Sequence, residues 1–94
     1  MKISIVVPVY NEAKSLPELF SEINSVLEKE KIEYEIVAVN DGSKDNSWEV
    51  LRKLAGSDKR IKAINFKFNN GQTAAMSAGI KNSSGDVIIP IDSD

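Results

Sequence analysis

Two carboxylates at the end of the chain, Asp92 and Asp94, have the spacing of a cation site. They follow a β-branched run, residues 87–91, that reads as a strand buried on both faces of a sheet. Two acids this close repel each other and resist joint ionisation unless a cation lies between them. A solvated turn of Asp and Ser is the alternative interpretation. The spacing favours a divalent-metal site at the carboxyl end of a strand, the edge where open α/β sheets bind ligands.

The composition restricts which metal such a site could take. The chain has neither cysteine nor histidine, which excludes disulfides, thiolate metal sites and His-based catalytic triads. Only oxygen ligands remain, and these suit a hard cation such as Mg²⁺ or Mn²⁺. We therefore predict Asp92 and Asp94 as ligands of Mg²⁺ or Mn²⁺.

Length and charge indicate one small globular domain. The 94 residues are 41% hydrophobic and 28% charged, with a net charge of −2. Acidic and basic residues are interspersed without a basic stripe, which argues against nucleic acid as a partner. No apolar run approaches the roughly 20 residues of a membrane span. We expect a single soluble domain.

Apolar runs and helical spacing predict four strands that alternate with three helices. The strands cover residues 3–9, 34–39, 61–66 and 87–91. A capping-box pattern at Ser15, with Pro17 in the first turn, begins a helix that runs to about Glu30. Asp45 is the predicted N-cap of the second helix. The third helix begins after residues 69–72, and its small residues would let it lie close against the sheet.

This βαβαβαβ order predicts an α/β fold with a Rossmann-like, doubly wound parallel sheet in strand order 3-2-1-4. Strand 3 is the least continuously hydrophobic and suits an edge. The topological switch then lies between strands 1 and 4, so the loops after strands 1, 2 and 4 converge on one rim. Those loops carry Tyr10, Asn11, Glu12, Asn40, Asp41, Asp92 and Asp94.

Four motifs in this order carry a resemblance to a known family. They are Val-Val-Pro-Val-Tyr-Asn-Glu at 6–12, Val-Asn-Asp-Gly-Ser at 39–43, Asn-Asn-Gly-Gln-Thr-Ala-Ala-Met-Ser-Ala-Gly at 69–79, and Asp-Ser-Asp at 92–94. Together they resemble family-2 glycosyltransferases of the GT-A fold. The Gly-Gln-Thr-Ala-Ala segment is similar to the dolichol- or polyprenyl-phosphate sugar transferase branch.

The resemblance implies a role for six residues. Pro8, Tyr10 and Glu12 would line the nucleotide pocket, with Tyr10 offering a ring face to the base. Asp41 would accept hydrogen bonds from the base or ribose. Asp92 would lie near the ribose and the metal, and Asp94 would ligate the metal that holds the diphosphate. The resemblance identifies no catalytic base.

The resemblance also implies an activity. Residues 1–94 would form the nucleotide-sugar-binding N-terminal part of a glycosyltransferase domain, truncated after the Asp-x-Asp motif. The full-length protein would be an inverting, metal-dependent transferase at the cytoplasmic face of a membrane. It would move a sugar from a UDP- or GDP-linked donor to a polyprenyl or dolichyl phosphate or a glycan. The 94 residues alone are expected to be inactive.

Three other interpretations fit parts of the pattern. A non-catalytic nucleotide-binding or interaction fragment remains open, and so does a nucleotidyltransferase-like module, although the loop after strand 1 lacks the usual Gly/Arg/Lys-rich phosphate motif. A phosphotransfer receiver needs an acceptor Asp after strand 3, where this chain has Phe66, Lys67 and Phe68. The sequence therefore excludes the receiver.

The fourth strand also predicts an interaction between chains. An apolar strand with no partner on its far side tends to recruit another strand. We expect self-association through residues 87–91, or poor solubility.

Overall fold

The computed structural model describes residues 1–92, so Ser93 and Asp94 lie outside the described part. Four strands alternate with three helices, as predicted. The strands are β1 (Lys2–Val9), β2 (Glu33–Asp41), β3 (Ile61–Phe66) and β4 (Val87–Pro90), and the helices are α1 (Leu16–Lys29), α2 (Ser47–Ser57) and α3 (Gln72–Lys81).

The strands form one parallel sheet in the order β3-β2-β1-β4, which confirms the predicted topology. β1 pairs with β2 over its whole length, from Lys2 opposite Glu33 to Val9 opposite Asn40. All four strands run in one direction, so their carboxyl ends lie at the same edge. The strands nearest the switch point, β1 and β4, pair from Ile3 opposite Val87 to Val6 opposite Pro90.

Helices cover both faces of the sheet. Alternate residues of β1, including Ile5 and Val7, join Phe20 of α1 and Leu51 of α2 in the main hydrophobic cluster. α3 packs on the opposite face, against β1 and β2. A Cβ added at Gly79 would lie 2.3 Å from Val6 Cγ1, so this helix approaches the sheet as closely as its small residues predicted.

The prediction that the fourth strand is buried on both faces is wrong. Val87 is 40% exposed, and Ile88 and Ile89 are each 38% exposed. β4 is an edge strand that pairs only with β1 among the described residues, so one side of it and parts of both its faces reach solvent. Its strand geometry ends at Pro90 rather than Ile91, although the Ile91 amide still donates to Val6 O at 2.9 Å.

Two helix caps differ from their predictions. Ser15 is the N-cap of α1 and Pro17 lies in its first turn, but the Ser15 hydroxyl donates to the Glu12 carboxylate and makes no cap bond. The N-cap of α2 is Asn46 rather than Asp45. Asp45 is the residue before this N-cap, and its carboxylate still accepts the amide of Ser47, the first residue of α2, at 2.9 Å.

A buried carboxylate, Glu35 on β2, ties the loop before β4 to the sheet. It is 3% exposed and accepts hydrogen bonds from the Ser4 hydroxyl and the Ser84 amide, each at 2.6 Å. Lys62 Nζ lies 3.0 Å from its other oxygen and Lys2 Nζ 3.7 Å. Burial alone would raise the pKa of Glu35, but these donors and the Lys62 charge lower the pKa to about 2.

Candidate functional site

A cavity of about 440 Å³ opens at the carboxyl edge of the sheet. Five of its lining residues are those that the sequence predicted for the nucleotide pocket: Pro8, Tyr10, Glu12, Asp41 and Asp92. Val9, Asn69, Gly71 and Gln72 complete the lining. The structure therefore brings together the loops after β1, β2 and β4, together with the start of α3. The functional roles of the five residues stay predictions, and Asp94 lies outside the described residues.

The loop after β1 is held to the loop after β2 by side chains that sequence reasoning did not assign. Asn11 has a positive φ of 54°. Its amide N–H donates to Ser43 Oγ at 2.9 Å, and its Oδ1 accepts the Lys44 amide at 2.8 Å. Asn tolerates a positive φ and commonly forms hydrogen bonds across turns through its side chain. An Asn in the loop after β1 was therefore the sequence signal that could have predicted this structural role. Asn11 supports the cavity wall without lining the cavity.

Ser47 links the same two loops from the start of α2. It is fully buried, and its oxygen accepts the Glu12 amide at 2.9 Å while its hydroxyl donates to Asp45. Burial alone would raise the pKa of Asp45, but hydrogen bonds from Ser47 and the Ala13 amide lower the pKa below its ordinary value. These contacts fix the backbone of Glu12, a lining residue whose carboxylate also accepts the Ser15 hydroxyl.

Asp41, at the end of β2, is engaged by the loop that precedes α3. Its Oδ1 accepts the Asn70 amide at 2.7 Å, and its Oδ2 accepts the Gly71 amide and Asn69 Nδ2, each at 3.1 Å. The residue is 3% exposed. Its neighbour Asn40 faces β3 instead, where it donates to Asn65 Oδ1 at 2.9 Å, and it does not line the cavity.

Asp92 differs from Asp41 because its residue is exposed at the cavity. Gln72, the first residue of α3, donates from Nε2 to Asp92 Oδ1 at 3.3 Å. This contact joins the segment after β4 to the N-terminus of α3. Tyr10 lies on the β1 side of the same cavity and is 41% exposed, so part of its side chain is available to a ligand.

The described residues include no group of three or more acidic side chains placed to hold a metal ion by themselves. Mg²⁺ sites commonly use one or two carboxylates and complete the shell with waters and substrate phosphates. An exposed carboxylate at a cavity, in a chain without cysteine or histidine, fits that pattern. Asp92 can therefore serve as a ligand of a hard cation, whereas the oxygens of Asp41 are already engaged by the chain.

The sequence model of glycosyl transferase family 2 matches residues 4–94. Among relatives, the bactoprenol glucosyl transferase of Shigella phage SfV is 43% identical over 94 residues, which cover 100% of this chain and 31% of that protein. The undecaprenyl-phosphate 4-deoxy-4-formamido-L-arabinose transferase of Pseudomonas fluorescens is 44% identical over 93 residues, which cover 98% of this chain and 27% of that protein. The chain thus spans about 30% of the length of such relatives.

Solved structures of glycosyltransferases share the fold of this chain. S. aureus TarS 1–349 in complex with UDP-GlcNAc superposes with a TM-score of 0.80 at 30% identity, over 100% of this chain and 27% of that one. A mannosyltransferase from Pyrobaculum calidifontis, solved with GDP-Man and Mn²⁺, shares the fold with a TM-score of 0.74 at 21% identity, over 98% of this chain and 27% of that one. The four-stranded parallel sheet is the Rossmann-like part of a GT-A fold, and the chain belongs to glycosyl transferase family 2.

Proposed function

We propose that the cavity binds a UDP- or GDP-linked sugar together with Mg²⁺ or Mn²⁺, as the donor site of a glycosyltransferase. The observation that carries this proposal is the convergence of Pro8, Tyr10, Glu12, Asp41 and Asp92 on one cavity. These residues come from three separate loops of the chain. Membership of a glycosyltransferase family supports the same function for the whole protein.

The charge of the cavity requires the cation. Glu12, Asp41 and Asp92 are the charged residues of its described lining, so a diphosphate that entered alone would meet negative charge with no basic side chain to offset it. A divalent ion reverses the local field and lets an anion bind. Asp92, joined by Asp94, would hold that ion. The bound ion supplies Lewis-acid stabilisation to the leaving nucleoside diphosphate.

The rest of the pocket would hold the nucleoside. Tyr10 offers an exposed ring for stacking, and Pro8 forms the adjoining apolar wall at the end of β1. Glu12 would orient the ribose or base, because its backbone is fixed by Ser47 and its side chain lies at the cavity.

For the whole protein we propose a polyprenyl phosphate as the acceptor, because two relatives carry bactoprenol and undecaprenyl phosphate in their names. A lipid-phosphate oxygen would attack the anomeric carbon as the bond to the nucleoside diphosphate breaks, which inverts that carbon. Such an acceptor would place the reaction at a membrane surface, and we propose the cytoplasmic face. None of the described helices is long and apolar enough to cross one. Residues 1–94 alone would bind the donor without transferring the sugar.

Thermal unfolding with and without ligands tests the donor site. UDP or GDP together with Mn²⁺ should raise the melting temperature more than either component alone. A ligand at about 100 times its dissociation constant adds roughly 2.7 kcal/mol, which is a shift of several degrees for a domain of this size. Asp92→Ala and Asp94→Ala should each remove the Mn²⁺-dependent part of the shift.

Glu33→Ala is the matched control, because Glu33 is an exposed acid at the opposite end of β2. This variant should keep the full shift. The donor-site assignment fails if both aspartate variants respond to Mn²⁺ and nucleoside diphosphate as the parent does. A nucleotidyltransferase-like module would instead respond more strongly to nucleoside triphosphates than to nucleoside diphosphates.

We further propose that a second copy of the chain pairs with the free edge of β4. The Asp86 amide donates to Lys2 O on β1, so by strand alternation Val87 and Ile89 direct their backbone groups away from β1. A groove of about 340 Å³ beside this edge is lined by Leu19, Val26 and Ile89, among other apolar residues. Two identical edges can pair around a two-fold axis, which joins both grooves into one apolar surface.

Lysine on this edge should prevent the pairing, because a charged side chain on an edge strand opposes strand addition. Val87→Lys is therefore expected to weaken self-association at least tenfold in analytical ultracentrifugation. Ile80→Lys is the control, since Ile80 is 46% exposed on α3, on the other side of the sheet. A parent that stays monomeric at high concentration, or equal dissociation constants for parent and Val87→Lys, would refute the pairing.

A further inference from the structure

The side chain of Gln72 contacts the carboxylate that we propose as a metal ligand, Asp92. Both residues line the cavity, and both are exposed. Gln72 Nε2 donates to Asp92 Oδ1 at 3.3 Å. A carboxylate at neutral pH only accepts hydrogen bonds, so the NH₂ group of Gln72, and not its carbonyl oxygen, must face it. The start of α3 therefore donates to the segment after β4 at the cavity.

Both ends of this contact are anchored to the same buried residue of the sheet, Val6 of β1. The amide of Ile91, one residue before Asp92, donates to Val6 O at 2.9 Å. On the other side, a Cβ added at Gly79 would lie 2.3 Å from Val6 Cγ1, so the helix that begins at Gln72 packs directly on that side chain. The sheet thus sets the separation of the two backbones that the side chains bridge.

The backbone of Gln72 is also fixed from its N-terminal side. Gly71, the N-cap of α3, donates its amide to Asp41 Oδ2 at 3.1 Å. The Gly71 carbonyl oxygen accepts the amide of the fully buried Ala75 at 3.1 Å. Only the side chain of Gln72 is left to adjust, and among the described residues its amide has one hydrogen-bond partner, Asp92.

The neutral amide of Gln72 suits the task of orienting a metal ligand. Because it carries no net charge, its hydrogen bond leaves the negative charge of Asp92 uncompensated. Within residues 1–92 no hydrogen bond reaches Asp92 Oδ2, so that oxygen is available to a cation. Carboxylates that bind metals are themselves commonly held by a hydrogen bond from an outer residue, which fixes their orientation.

We infer that Gln72 is a positioning residue of the proposed metal site: its side-chain amide holds Asp92 Oδ1 and thereby leaves Oδ2 for the cation. The inference rests on the proposed donor function. It assigns the side chain of Gln72 to the metal ligand rather than to the base or the sugar. It also means that α3 and the segment after β4 act together on the cation, because both are fixed to Val6.

Gln72→Met tests this role, because methionine is similar in length to glutamine but has no hydrogen-bond donor. Mn²⁺ binding in the presence of saturating UDP or GDP should weaken by about tenfold or more, the usual loss when an outer partner of a metal ligand is removed. Binding of the nucleoside diphosphate without metal should be unchanged, which a general loss of structure would not allow. Electron paramagnetic resonance of free Mn²⁺ measures the first quantity, and calorimetry measures the second.

Asn82→Leu is the matched control. Asn82 carries an exposed side-chain amide at the opposite end of α3, where its Nδ2 donates to Ala78 O at 2.8 Å. Leucine is similar in size and removes that donor. This variant should bind Mn²⁺ and nucleoside diphosphate as the parent does.

Nuclear magnetic resonance tests the contact without any ligand. Gln72 is the only glutamine of the chain, so a nitrogen-15 label on glutamine side chains reports on it alone. Asp92→Ala should shift its side-chain amide resonances, whereas Glu33→Ala should leave them in place. Mn²⁺ with nucleoside diphosphate should broaden these resonances beyond detection, because the paramagnetic ion would lie beside Asp92. Diamagnetic Mg²⁺ should leave them visible.

Three results would overturn the inference while leaving the donor function intact. The first is parental Mn²⁺ affinity in Gln72→Met, or an equal loss in Asn82→Leu. The second is weaker binding of the nucleoside diphosphate to Gln72→Met without metal, which would make Gln72 a direct contact of the nucleotide. The third is a Gln72 resonance that does not respond to Asp92→Ala or to Mn²⁺. If the parent binds neither Mn²⁺ nor nucleoside diphosphate, the donor function and the role of Gln72 both fail.

Discussion

Alanine at Gly42 should destabilise the protein by about 2–5 kcal/mol and abolish donor binding. Gly42 has a φ of +65°, where an L side chain costs roughly 1–2 kcal/mol. The new Cβ would also meet Asn69 N and Phe68 C at 2.3 Å. These are backbone atoms that cannot rotate away, so the loop before α3 must move, at a cost of about 1–3 kcal/mol for overpacking.

Chemical denaturation and nucleotide titration measure the two parts of this effect. Gly56→Ala is the matched control, because Gly56 lies inside α2 and a Cβ there meets nothing within 4 Å. That variant should gain roughly 0.5–1 kcal/mol from helix propensity. Gly71→Ala isolates the backbone strain, since Gly71 has a φ of +97° and also meets no atom within 4 Å. A loss of only about 1–2 kcal/mol in Gly42→Ala, the cost of the positive φ alone, would show that the close approach at Gly42 costs nothing.

Glu35→Gln is expected to lower the free energy of unfolding by about 2–3 kcal/mol at pH 7, which lowers the melting temperature by roughly 10 °C or more. Glutamine keeps an oxygen for Ser4 and Ser84, which both bind Oε2. It would turn amide hydrogens toward Lys62 and Lys2, which face the other oxygen. The cost is the lost attraction between the buried carboxylate and these two partly exposed lysines.

The pH dependence identifies the charge as the cause. The folded-state pKa of Glu35 is lowered from 4.5 to about 2, so its stabilisation is complete above pH 4.5 and is lost as the pH falls toward 2. The difference between parent and Glu35→Gln should shrink across that window. Glu33→Gln, an exposed change two residues earlier on β2, should stay within about 0.5 kcal/mol of the parent. A difference that is constant from pH 7 to pH 3 would contradict the charge argument.

Local patterns in the sequence were enough to predict the sheet. Apolar β-branched runs and helical spacing are properties of short segments, and right-handed crossovers allow few ways of joining them. The order β3-β2-β1-β4 followed, and with it the convergence of the β1, β2 and β4 loops on one cavity. Parallel strands place all their carboxyl ends together, so Tyr10, Asp41 and Asp92 could be assigned to one rim before any distance was known.

The burial of single residues did not follow from such patterns. The run at 87–91 looks like a core strand, yet Val87 and Ile89 are exposed because, in the part of the chain that the structure describes, β4 pairs with a strand on one side only. Glu35 looks like a solvated acid, yet it is buried because Ser84 and Lys62 approach it from distant parts of the chain. The hydrophobicity of a side chain shows only that it can be buried. Whether it is buried depends on which helices and strands surround it in the fold.

The sequence by itself determined which acids meet at the cavity, and only the tertiary structure decided what each of them can do there. Asp41 and Asp92 both follow strands and both line the cavity. The donors that occupy Asp41 come from residues 28 to 30 positions away, whereas within residues 1–92 Asp92 accepts one side-chain hydrogen bond, from Gln72, and stays exposed. A carboxylate binds a ligand only with the acceptor positions that the folded chain leaves open, and partners so remote in sequence are set by the packing of α3 against the sheet.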